Sequence, residues 1–115
     1  MRKKLEQFKD VRVAVTATFD RYGSTKVKGD TTMLFTDVNI MGEFGKGDYD
    51  NPIFIDDHCW LVETDRLEKV KVQSGDKVRF IALVDNYMKL GETASEVDYN
   101  FNQVRGFRVE KEELV

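Results

Sequence analysis

Cysteine occurs once, at Cys59, so the chain holds no internal disulfide framework and fits a reducing, intracellular setting. Histidine also occurs once, at His58, next to that cysteine. On a strand the two side chains point to opposite faces, and no further Cys or His exists to complete a zinc site. Asp56, Asp57 and His58 form a short polar cluster, but only Asp56 and His58 share a strand face, which reads as a polar strand end rather than a metal site. The one proline, Pro52, cannot lie inside a central strand. No apolar run approaches the ~20 residues of a membrane-spanning helix. The basic start, Met1 to Lys4, leads into no apolar signal segment. These absences predict a cytoplasmic protein without a membrane association. Gly42, Gly45 and Gly47 lie between strands and lead to no helix, so the usual phosphate-binding loop is missing. Neither a metal nor any other cofactor is expected, and the chain does not read as an enzyme.

What the chain does have is strand pattern. One domain is the natural reading of 115 residues with 41% hydrophobic and 34% charged content. Residues 11–19 alternate, with Val11, Val13, Val15, Ala17 and Phe19 on one face. Residues 31–41 alternate more loosely. A third strand is expected over 53–62 and a fourth over 77–88. Between them Thr64 is a candidate N-cap for a short helix over 65–70. Residues 90–95 read as a loop, 96–101 as an irregular strand and 103–110 as the closing strand. Glycine-rich residues 42–52 read as a loop, and 1–9 as an N-terminal arm or short helix. This order predicts an all-β chain: a five-stranded OB-fold Greek-key barrel with one short helix between strands three and four. Val78, Phe80, Ala82 and Val84 would fill it. Ile81 and Leu83 would point outward, covered either by the segment with Leu5 and Phe8 or by a second subunit.

Charge is unevenly spread although the net value is −3. Residues 1–28 carry a balance of +5, residues 30–65 one of −8 and residues 66–89 one of +3. Such asymmetry can build a basic face on an acidic protein. An OB barrel binds single strands with aromatic rings for bases and Lys/Arg for phosphates. The loop after strand one offers Arg21, Tyr22, Lys26 and Lys28. The region after strand four offers Tyr87, Lys89, Tyr99 and Phe101. Arg12 and Arg79 would extend the basic area across neighbouring strands one and four. The two loops are expected to flank one cleft. Asp37, Asp56 and Asp57 stand against a cleft floor on strands two and three, because phosphates avoid carboxylates. Trp60 reads as packing in preference to a stacking platform.

Asp57-His58-Cys59-Trp60-Leu61 and the stretch from Gly75 to Lys89 (Gly-Asp-Lys-Val-Arg-Phe-Ile-Ala-Leu-Val-Asp-Asn-Tyr-Met-Lys) resemble small OB-fold proteins of bacteriophages and mobile elements of Gram-positive bacteria. Some of these look like single-stranded DNA-binding proteins. The resemblance covers roughly residues 11–110, with its specific part in the two stretches. Leu90 stands before Gly91 where family members often have the glycine directly after the lysine. The resemblance implies a non-catalytic binder of single-stranded DNA with low sequence specificity. It would act as a homodimer, with replication or recombination proteins as partners. The rival expectation is a protein-interaction module or inhibitor that uses acidic residues 30–65.

Overall fold

The computed structural model describes residues 3–24, 31–62, 70–90 and 95–110. A 3-10 helix, Lys3–Phe8, precedes six strands: β1 (Arg12–Ser24), β2 (Thr31–Glu43), β3 (Gly47–Asp56), β4 (Cys59–Val62), β5 (Lys77–Leu90) and β6 (Ser95–Val109). They form one antiparallel sheet in the order β3-β2-β1-β5-β6, with β4 also pairing β2. The all-β expectation is met with six strands rather than five, because the expected third strand breaks at Asp57 and His58 into β3 and β4. The turn there is held by the His58 N–H, which donates to Asp56 Oδ1 at 3.2 Å. The expected helix over 65–70 falls outside the described residues except at Val70, which packs against the core. No helix among the described residues is long and apolar enough to cross a membrane.

The sheet curls strongly. Phe35 on β2 and Phe107 on β6 are separated by two intervening strands, β1 and β5. A flat sheet would hold β2 and β6 about 14 Å apart. Their ring centroids are 6.0 Å apart, meeting edge to face. Phe80 lies between them, at 6.1 Å from Phe35 and 6.0 Å from Phe107. Phe101 meets Phe80 edge-on at 6.0 Å. Curling thus buries one continuous apolar face: Val13, Val15, Ala17 and Phe19 from β1, and Val78, Phe80, Ala82 and Val84 from β5. The Cys59 thiol on β4 reaches Asn100 Oδ1 on β6 at 3.7 Å across the same interior. The edges approach, yet no backbone ladder joins β6 to β3 or β4 among the described residues, so the sheet is not closed.

The N-terminal helix covers the open side. Leu5 and Phe8 are three residues apart, and a 3-10 helix places such residues on one face. Both are buried in the main core. The Asp10 N–H donates to the Val84 carbonyl at 2.8 Å, and Lys4 Nζ reaches the Phe54 carbonyl on β3 at 3.2 Å. This answers one open expectation. Leu5 and Phe8 join the interior face of β5, so they are not the cover of outward-facing Ile81 and Leu83, which remain half-buried.

Bulges explain where simple alternation failed. On β2, Phe35 and Val38 both face the core although three residues apart; the pairing shifts between Thr36 and Asn39, and Asp37 takes a φ of 48°. On β6, Leu83, Ile81 and Arg79 of β5 face Asn102, Arg105 and Arg108, so steps of two on β5 match steps of three on β6. Gln103 (φ 51°) and Gly106 (φ 62°) supply the extra residues. Phe101, Val104 and Phe107 accordingly all reach the core. The expected irregular strand and closing strand are one continuous element.

A third irregularity reshapes the expected loop over 42–52. Most of it is strand, and Pro52 sits in β3 at the end of the sheet order, where its missing N–H costs no ladder bond. Between the pairs Ile40–Ile53 and Gly42–Asp48, two steps on β2 oppose five on β3. The hairpin therefore folds over. Gly42 makes this possible: a Cβ there would collide with the Gly47 carbonyl oxygen and lie 2.9 Å from the Asp48 Cα. The Phe44 N–H donates to the Arg12 carbonyl at 2.9 Å, one rung past the Val13–Glu43 pair, and beyond it the hairpin turns over the outer face of β1, where Asp48 reaches Arg79. Ala14 and Thr16, which point away from the core, are buried as a result.

Candidate nucleic-acid interface

The outer face of β1, β5 and β6 is where basic side chains meet. Directly paired residues of antiparallel strands share a face. Arg12 pairs Leu83, and Thr16 pairs Arg79, so Arg12 and Arg79 lie on one face, four residues apart along the strands. Arg79 in turn pairs Arg108, and Ile81 pairs Arg105. Lys77, opposite Thr18, extends the same face.

Two like charges placed opposite each other are unfavourable. At the Arg79–Arg108 pair, Asp48 compensates one of them: its carboxylate accepts from Arg79 Nη2 at 2.8 Å. This contact spans from β3 to β5 only because the hairpin tip is folded across β1. Arg105, Arg108 and Lys77 make no ion pair among the described residues. Arg12 donates to Gln103 Oε1 at 2.8 Å, while its Nη1 is buried without a hydrogen-bond partner. A buried guanidinium nitrogen that lacks an acceptor costs about 1–3 kcal/mol.

Two clefts flank the Arg79–Asp48 contact. One, of about 330 Å³, lies between the hairpin tip and the sheet, lined by Ala14, Phe44, Arg79, Ile81, Gly106 and Arg108 among others. The other, of about 340 Å³, mixes Lys77 and Arg79 with Asp37 and Glu110. Asp37 uses its carbonyl and carboxylate to hold the Asn39 amide at 2.9 and 3.1 Å. No group of three or more His, Cys, Asp or Glu that could hold a metal occurs among the described residues.

The remaining expected residues scatter. Arg21 is exposed and pairs its neighbour Asp20 at 3.2 Å. Tyr22 is half-exposed, with its ring edge-on to Phe19 at 4.9 Å. Phe101 is buried in the core and has no free ring face to offer a base, so its place among the binding residues is withdrawn. Tyr99 is partly buried and packs against that core. Lys26 and Lys28 lie outside the described residues, and so do the side chains of Tyr87 and Lys89, whose backbones belong to β5.

The register also separates the two loops expected to flank one cleft. β1 and β5 are antiparallel, so the β1–β2 and β5–β6 connections leave opposite ends of the pair. Tyr22 and Tyr87 stand 14 strand positions apart, about 46 Å measured along the strands. Trp60 departs from the packing expectation. It is 40% exposed, and its ring lies so close over Gly23 that a Cβ there would come within 2.7 Å.

Sequence reasoning missed Arg105, Arg108 and Phe44. A signal for the first two existed: residues 101, 104 and 107 are apolar, while 102, 105 and 108 are polar, a period of three with Gly106 inside it. No known family matches the chain, and neither a curated protein nor a solved structure matches it.

Proposed function

We propose that this is a non-catalytic, OB-like protein that binds single-stranded DNA, with little sequence preference, on the outer face of β1, β5 and β6. The observation that carries this reading is the pair Arg105 and Arg108, turned by the β6 bulges onto the face that also holds Lys77, the three making no ion pair among the described residues. Arg12, held by Gln103 through its Nη2, adds a fourth cation to the same face. Phosphate oxygens supply the countercharge. The placement also moves the DNA path away from Asp56 and Asp57 at the far end of β3. The acidic stretch over 30–65 is partly spent inside the molecule: Asp48 on Arg79, Glu43 on Lys46 and Asp56 on the β3–β4 turn. That weakens the rival reading of an acidic protein-docking surface.

The test is titration of a fluorescent oligo-dT at several salt concentrations. Wild-type affinity should fall as salt rises, with a logarithmic slope of about −0.7 for each phosphate contact. Absence of binding even near about 50 mM salt would remove the reading in favour of a protein partner.

A further inference from the structure

We propose that Phe44, at the tip of the β2–β3 hairpin, is the ring on which a base stacks. The inference rests on the single-stranded DNA reading above and names its aromatic partner. Phe44 is the most exposed of the large hydrophobic side chains described, at 60%. A lone exposed apolar residue needs no explanation by itself. This one is placed. Its N–H is tied to the Arg12 carbonyl, so the turn that carries it is fixed against β1. Asp48, just past the turn, is tied to Arg79. Glu43, just before it, pairs with Lys46 at 3.2 Å. The ring thus projects from a braced turn beside the cleft that Arg79 and Arg108 line.

The chemistry of the cleft is that of a nucleotide. Ile81, Ala14 and the Phe44 ring give it an apolar wall, and Arg108 gives it a cation without an ion pair among the described residues. A base fits the first and its phosphate the second, and stacking on a phenyl face makes no distinction among bases. Tyr22 and Trp60 lack this company: Tyr22 turns its ring to the core-facing Phe19, and Trp60 lies over Gly23 on the far hairpin.

The experiment measures binding of oligo-dT and of an abasic strand of equal length, by fluorescence anisotropy. Wild type, Phe44→Ala, Phe44→Trp and the double variant Arg105→Ala/Arg108→Ala are compared at two salt concentrations. Phe44→Ala should weaken oligo-dT binding roughly 5- to 150-fold, the range of one base–ring stack. Its affinity for the abasic strand and its salt slope should match wild type, and Phe44→Trp should keep full oligo-dT affinity. Equal losses on both strands would overturn the proposal, because they would mark the tip as a brace rather than a platform. Unchanged oligo-dT binding by Phe44→Ala, with loss in the arginine variant, would remove the ring and leave the basic face standing. No binding by wild type would overturn both.

Discussion

β5 and β6 run side by side from Val78–Val109 to Leu90–Ser95, yet they keep the same two faces with different spacings. β5 is regular: Val78, Phe80, Ala82 and Val84 are buried, and Arg79, Ile81 and Leu83 face outward. β6 spends three residues where β5 spends two, so Phe101, Val104 and Phe107 face inward and Asn102, Arg105 and Arg108 outward. The pleat alone gives a period of two. The difference shows that the partner and the curled core, not the pleat, set which side of β6 a residue takes. It also shows how β6 comes to present two arginines on one side.

The comparison breaks most severely at the core, where both spacings converge on Phe80. Phe80→Ala should destabilise the fold by about 3–5 kcal/mol, read by chemical denaturation. Binding per folded molecule should be unchanged, since the ring faces away from the cations.

The next effect isolates the β6 spacing itself. Gly106→Val places a β-branched residue at a φ of 62°. It should cost about 1–3 kcal/mol. Gly106→Asn, whose side chain tolerates that backbone, should cost less. If valine proves harmless by thermal melting, β6 can keep its pairing without the bulge, and the account of the three-residue step fails.

Removing the outward side of the same strand should leave the fold intact. Arg105→Ala/Arg108→Ala should change stability by no more than about 0.5 kcal/mol for each surface substitution. The salt slope for oligo-dT should become shallower by about 1.4. A variant with wild-type slope and affinity would detach β6 from binding.

The smallest effect concerns the contact between the folded hairpin and β5. Asp48→Asn removes a half-exposed ion pair of the kind worth about 0–1 kcal/mol, so the melting temperature should move little. Arg79 is then released while the Phe44 N–H and the Glu43–Lys46 pair still hold the turn, so low-salt affinity should rise. A fall in affinity would mean that Asp48 serves binding by holding the tip in place.

The regular elements were legible because β1 alternates over residues 11–19 and β5 carries a long, mostly apolar run over 78–84. The second half of β6 and the 42–52 hairpin were not. Residues 101–108 repeat in threes, so a two-residue template divides them between an irregular strand and a separate closing strand. Gly42, Gly45, Gly47 and Pro52 resemble loop punctuation, although Gly42 marks a close approach of two strands and Pro52 an outer strand. Of the expected site, Arg12 and Arg79 were placed on one face because neighbouring strands one and four could be inferred from order alone. The loops flanking a common cleft could not, since antiparallel register sends them apart. Phe101 was misassigned for the same reason as Arg105: the phase of β6 depends on its bulges.

The hairpin that carries Phe44 has a further consequence, on its outer side. β3 ends the sheet order, and a bare strand at such a position invites a second chain to add itself by backbone hydrogen bonds. Pro52 removes one donor from this strand, its bulge disrupts the straight run, and Lys4 already occupies the Phe54 carbonyl. The Lys4 ammonium also sits 5.3 Å from the centroid of the exposed Phe54 ring. These features hinder a second copy from adding itself to β3 by backbone hydrogen bonds.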